Sequence, residues 1–526
     1  MIELSYALRS EPSWWIKIKD PAIRSGWKAE SLEREIRGDK LNEAEIEWVL
    51  DEIEDYARMR DEATGIQPSC HARVWESDEL ISEDLKSRLI RAAAILENVP
   101  DEEKDWHSRY GDQVLNLVHP SLFCAVYDRT PSWNTSNGDS RLEPLKTPRR
   151  EMEAWAYSPK FCWIPTDFQL GKDGAPATAL GYINNVHPHH HKCLVAAIEC
   201  LVGRFSLLWD RVLTDIHPGN DPLPGRQKVV GSYEWTYRPE QPEPSQKDGN
   251  TLGMMERLRP WSDREKGKTI NLPTVHKDGY RGSGQNITCR KSTYSIQGKS
   301  VQVIVKLTPE KPEFAGGSWH VEGMANERIV ASGIYYYDCE NITDSQLSFR
   351  VSTDFNDAQY EPNDSEGVLL TWGIKGGDSQ NQLVGAVKTP PNRCIAFPNM
   401  YQHKISPFKL VDPIKPGHRK IVALFLVDPE KRIPSTSDIP PQQSHWARDA
   451  LSDALLQENN RVKTPLPAEL VDMVADRVDT VMTLAETKAY REEFMKERSA
   501  FAGVVDEQRF CTGFIFRDPF SYLFGD

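Results

Sequence analysis

Residues 300–340 read SVQVIVKLTPEKPEFAGGSWHVEGMANERIVASGIYYYDCE. Val301, Val303 and Val305 alternate with Gln302, Ile304 and Lys306, the two-residue period of a strand whose faces differ. Ile329 to Tyr337 forms a second such run, and the Pro- and Gly-rich connection between the two carries His320-Val321-Glu322. In extended chain, residues i and i+2 share a face, so His320 and Glu322 point the same way. A redox-active metal that must also bind oxygen and a chelating ligand has three positions left for protein. Two imidazoles and one carboxylate on one face leave the opposite face open. His403, in FPNMYQHKI (397–405) on a later predicted strand, supplies the second imidazole.

Outward from this stretch, RCIAF (393–397), YQHKI (401–405) and RKIVALFLV (419–427) are further short β runs separated by turn residues, as in a sandwich or barrel. The predicted class is α+β: a double-stranded β-helix (jelly roll, cupin-like) core over 296–430 between helical N- and C-terminal regions. Residues 1–115 read as helical, with Asn42 and Glu45 opening a helix in LNEAEIEWVLDEIEDYA (41–57) and Ser82 opening another. Residues 116–295 read as mixed helix and loop packing on the core, including a buried helix over 192–214. Residues 431–526 read as helical again, with Thr483 and Glu486 forming a start signal. The stretch 340–383 reads as a long insertion between core strands, either a lid or decoration.

The 526 residues carry 78 acidic and 64 basic side chains, a formal net charge of -14, which disfavours a nucleic-acid partner. No apolar run approaches a membrane span and no secretory signal opens the chain, so a cytoplasmic address is expected, a nuclear one being equally compatible. Nine scattered cysteines without a CxxC read as reduced thiols. The expected partner is a small-molecule substrate.

Four other features bear on a site. His276-Lys277-Asp278 is a second H-x-[DE] match, but it sits in a turn-like stretch with no flanking strand. Arg419, sixteen residues beyond His403, opens a strand where its guanidinium can hold the far carboxylate of 2-oxoglutarate as a bidentate pair. In Tyr335-Tyr336-Tyr337 alternation turns either Tyr336 or the outer two inward, where a phenol can donate to that carboxylate. His187, His189, His190 and His191 read as a helix entrance with rings satisfied by hydrogen bonds, a second metal site being the alternative. Lys306 reads as an exposed strand lysine, with a co-substrate role as the alternative. Met324 and Asn326, in the turn after the ligand pair, are substrate-side candidates.

The stretch HVEGMANERIVASGIYYYD resembles prolyl-hydroxylase-type 2-oxoglutarate oxygenases, in which HxD is followed by a Gly/Asn-rich turn and a strand ending in Tyr-Tyr. The resemblance implies iron(II) held by His320, Glu322 and His403, with 2-oxoglutarate and dioxygen as co-substrates. It places Tyr336 and Arg419 on the co-substrate carboxylate. The implied reaction decarboxylates 2-oxoglutarate to succinate and oxidises a C–H bond of a small molecule such as an amino acid or secondary metabolite, by hydroxylation, desaturation or cyclisation. Two departures stand out: the carboxylate is Glu rather than Asp, and the His403–Arg419 interval is long. More extensively, HPSLFCAVYDRT, YINNVHP, RCIAFPNMYQHKISPF and DPIKPGHRKIVALFLVDP are similar to a large fungal family of unknown-function proteins, over roughly residues 65–500. The alternatives are a cupin-like iron dioxygenase without 2-oxoglutarate, a metal-dependent isomerase or hydrolase, and a non-catalytic jelly-roll scaffold.

Overall fold

A computed structural model describes the chain except for residues 37–38, 108–112, 135–140, 152, 221–233, 238–267, 272–278, 281–291, 353–364, 373, 457–466, 476, 479 and 511–526. The architecture is mixed α+β around a large antiparallel sheet. The strands that build it and its neighbour are β1 (Gln67–Pro68), β2 (Trp75–Ser77), β3 (Thr166–Gln169), β4 (Thr178–Ala179), β5 (Ser300–Glu310), β6 (Ile329–Glu340), β7 (Gln346–Ser352), β8 (Asn381–Lys388), β9 (Cys394–Pro398), β10 (Gln402–Ile405) and β11 (His418–Val427). The large sheet runs β4-β3-β5-β11-β6-β9-β2-β1, and a second, three-stranded sheet runs β8-β7-β10.

Alternation decides which layer each residue joins. Val301, Val303, Val305, Leu307, Ala331, Tyr335, Tyr337, Val422, Leu424 and Leu426 pack outward in one core with two helices, α2 (Glu83–Glu97) and α3 (Lys192–Ile216). Ile304, Ile334, Tyr336, Ala423, Phe425 and Val427 turn the other way, into a second core with Leu347, Phe349 and Val387 of the smaller sheet. Helix α3 is apolar over most of its girth and buries Ile198, Leu201, Val202, Phe205 and Trp209. It seats closely because β6 has glycine at 333: a Cβ there would stand 2.5 Å from Phe205 Cδ1.

The predicted helix starts are present. Asn42 and Glu45 close a reciprocal capping box on α1 (Glu43–Met59), Ser82 Oγ accepts from the Leu85 N–H, and Thr483 Oγ accepts from the Glu486 N–H at the head of α4 (Leu484–Val505). Residues 340–383 are not merely an insertion. They supply β7 and the first residues of β8, and β7 is the central strand of the smaller sheet. The large sheet also takes its edge strands from 67–77 and 166–179, well outside the β-rich stretch of the sequence. Among the described residues seven cysteines are free, and no helix is long and apolar enough to cross a membrane.

Candidate metal centre

His320 and His403 meet across an antiparallel bridge, each backbone N–H donating to the other's carbonyl at 3.2 and 2.9 Å. That bridge attaches the His-Val-Glu segment to the free edge of β10, whose His403 stands opposite Phe349 of β7. The turn after His320 is held by Asn399, which accepts from the Glu322 N–H at 2.9 Å and donates to the carbonyls of Glu322 and Ile329 at 2.7 and 3.1 Å. Gly323 follows at φ +71, a left-handed conformation in which any Cβ would also press on Ile329 Cδ1 at 2.8 Å. Beyond it the fully buried Glu327 accepts from the backbone N–H of Trp163 at 3.0 Å and of Met324, and pairs with Arg498 at 3.4 Å.

The three side chains converge. Glu322 Oε1 lies 3.5 Å from His320 Nε2 and 3.4 Å from His403 Nε2, and all three donors fall within 4.8 Å of one another. Donors bound to one ion at about 2.1 Å, roughly 90–110° apart, stand about 3.0–3.4 Å from each other, so the set fits a single metal. His320 Nδ1 is 2.8 Å from the Ser318 carbonyl, which fixes the proton on Nδ1 and leaves Nε2 bare for a ligand role. His403 is buried against Phe397, its ring 5.0 Å from that ring, and burial holds its pKa below the ordinary histidine value. Burial alone would raise the Glu322 carboxyl. The hydrogen bonds and charges of His320 and His403 outweigh it and hold the group well below the usual range, as a carboxylate ready for a cation.

Two cavities meet at this point, and Val321, Glu322, Gly323, Phe501 and Val505 line both. One is polar, about 130 Å³, and includes His107, His119, Lys306, His320, Gln402 and Arg498. The other is larger, about 600 Å³, with mainly apolar walls that include Trp155, Tyr157, Met324, Met400 and Phe501. His107, His119 and Arg498 carried no signal in the sequence, because they reach the site from segments distant along the chain.

The remaining candidates fall as follows. Met324 lines the larger cavity. Asn326 is buried beside it with its amide spent: Nδ2 donates to Tyr127 Oη and the Ser158 carbonyl at 2.9 and 3.0 Å, and Oδ1 accepts from the Ser158 N–H at 2.8 Å. Tyr336 faces the inner core and Tyr335 and Tyr337 the helices. Arg419 shares the inner face, its guanidinium 5.8 Å from the Tyr336 ring, but is wholly buried, paired with Glu310 and donating to Ser345 Oγ at 2.9 Å. Neither Arg419 nor Tyr336 lines the two cavities. Ser345 is four residues from Phe349, the partner of His403, a spacing of roughly 13 Å along a strand. His276 and Asp278 lie outside the described residues.

His187, His190 and Asp449 also bring donors within 4.8 Å. Here His187 Nδ1 accepts from the backbone N–H groups of His189 and His190, at 3.2 Å each, so the ring proton sits on Nε2, which faces Asp449 at 3.6 Å. The His187 and His190 rings stack 3.9 Å apart and 9° from parallel, so their in-plane lone pairs do not converge. This arrangement matches the helix entrance read from the sequence.

A family model described as a protein of unknown function, DUF4246, matches residues 43–450, most of the chain and all three converging ligands. The chain belongs to the DUF4246 family. No curated protein matches this DUF4246 chain. A solved structure, that of a bsmA homolog from Methylobium petroleophilum PM1, is similar over 26% of the DUF4246 chain at 11% identity with a TM-score of 0.17. The similarity spans 46% of that structure, a little under half its length.

Proposed function

We propose that this protein is a mononuclear non-haem iron(II), 2-oxoglutarate-dependent oxygenase built on a jelly-roll core, acting on an apolar small molecule. The observation that carries the reading is the convergence of His320, Glu322 and His403 on one side of a short β bridge. Two sheets packed face to face, with the ligands at the edge of the smaller one, support the jelly-roll part. With iron bound, 2-oxoglutarate and dioxygen yield succinate and carbon dioxide, and the second oxygen atom enters a substrate C–H bond as a hydroxyl.

The chain's own residues supply the setting. His320 and His403 present neutral nitrogens and Glu322 one negative charge, leaving the rest of the coordination sphere open. His320, more exposed than the other two, faces the polar cavity, where charged ligands have partners. Val321, Phe501 and Val505 line both cavities, and the larger one offers an apolar substrate mainly apolar walls.

The test is anaerobic reconstitution with iron(II), then measurement of succinate from 2-oxoglutarate in air, with His403→Ala as the control. Succinate that depends on iron and disappears in the variant is expected; none from iron-loaded wild type would sink the reading. One observation favours a second reading: Arg419 is already committed to Glu310 and Ser345. An iron dioxygenase without 2-oxoglutarate needs no such arginine, and oxygen uptake without any 2-oxo acid would support it.

A further inference from the structure

We propose that Lys306 anchors the far carboxylate of a dicarboxylate ligand bound at the triad, in place of the arginine that opens β11. The inference rests on the oxygenase reading above. Lys306 lies on β5 in phase with Ile304, which packs between the sheets, and its side chain lines the small polar cavity with His320 and Glu322. It is half-buried, and among the described residues its ammonium has no hydrogen bond or ion pair. An ammonium on a cavity wall with no counter-ion among the described residues is open to an anion that arrives from outside.

The other cations are already engaged. Arg498 sits over the Trp163 indole, its guanidinium carbon 3.5 Å from the ring centroid, and pairs with Glu327. Arg419 is locked to Glu310, four residues farther along β5 than Lys306, a displacement of roughly 13 Å. Its surroundings there are Phe408, 4.2 Å from its guanidinium, and Ser345. His119 is neutral: burial depresses its pKa, and the charge of Lys306 opposes its protonation further. Gln402 is shared between Arg350 and Asp506. Glu322, the acid of this cavity, belongs to the triad. Lys306 is thus the uncompensated charge on the cavity wall, and a lysine on a long flexible stem recognises a carboxylate as a point charge.

The consequence is selectivity. A 2-oxo acid chelating the metal through its first carboxylate and keto oxygen gains from Lys306 only if it carries a second carboxylate. A charge-assisted hydrogen bond of this kind corresponds to a preference of about 10- to 100-fold in Kd for 2-oxoglutarate over 2-oxopentanoate, the monoacid of equal length.

The experiment titrates both acids anaerobically into the iron(II)-loaded full chain and reads the visible charge-transfer absorbance, with metal content and melting temperature measured alongside. Wild type should prefer the diacid by at least about tenfold. Lys306→Met should abolish that preference with metal content unchanged, and Lys306→Arg should keep part of it. If the methionine variant does not fold, Lys306→Gln is uncharged and polar and gives the same reading. A full preference retained in the folded Met or Gln variant overturns the assignment, as does a preference lost in Arg419→Lys but kept in Lys306→Met. If iron-loaded wild type gives no absorbance with either acid, the 2-oxo acid reading itself fails and takes the Lys306 assignment with it.

Discussion

Two clusters in this molecule have the same composition, two histidines and a carboxylate with donors inside 4.8 Å, and opposite suitability for a metal. At His320, Glu322 and His403 a backbone carbonyl takes the Nδ1 proton of one ring, and both Nε2 atoms aim at one carboxylate oxygen. At His187, His190 and Asp449 two backbone N–H groups occupy Nδ1 of the central ring, leaving its proton on the nitrogen that faces the acid. Proximity is common to both. The direction of the hydrogen bond on the far ring nitrogen separates them, because it decides which nitrogen keeps a lone pair.

The largest expected effect sets the clusters directly against each other. His403→Ala should abolish stoichiometric iron(II) or manganese(II) binding, measured by anaerobic titration and metal analysis, whereas His190→Ala should leave one equivalent in place. The reverse pattern would move the metal centre to the entrance of α3.

A smaller effect is expected at Asn399, which touches no metal but ties the Glu322 backbone on both sides. Asn399→Ala should weaken metal affinity by roughly 10- to 100-fold, the range for lost supporting hydrogen bonds. Unchanged affinity would mean that Gly323 and the β bridge hold the carboxylate unaided. At the second cluster, Asp449→Ala should leave metal content unaltered and move stability by no more than about 0.5 kcal/mol, since its side chain is 41% exposed. Chemical denaturation with parallel metal analysis checks both halves of that statement.

The smallest effect concerns pH. Burial, reinforced by His190, holds the His187 pKa below the ordinary value of 6.5. The unfolded chain therefore takes up that proton first as pH falls. The stabilising contribution is complete above about 6.5 and declines as pH drops toward the folded value. His187→Leu should flatten the acid-side fall in stability between pH 6.5 and 5 relative to wild type, seen in urea midpoints. An unaltered slope would mean that the ring takes up its proton as readily in the folded as in the unfolded chain.

Much of the site was legible along the chain because its determinants are local. A two-residue period separates Val301, Val303 and Val305 from Ile304 and Lys306, and the same period puts His320 and Glu322 on one side. The helix starts at Asn42, Ser82 and Thr483 are equally local, since a cap bonds to a backbone group within three residues. Alternation also limited the tyrosine run to two arrangements without choosing between them.

Tertiary structure decided the rest. Tyr336 faces inward because β6 pairs with β9 and β11 in the observed register and lies against α3 on its other side. Strand β7 and the start of β8 were hidden in what reads as an insertion, since their partners are each other and β10, which no local pattern announces. The assignment of the cations had the same origin. Arg419 and Lys306 are both strand residues facing one interior, and nothing in their neighbours along the chain tells which is paired. Only the antiparallel register of β5 against β11, which sets Glu310 opposite Arg419 and Ala423 opposite Lys306, consumes one charge and leaves the other facing the cavity.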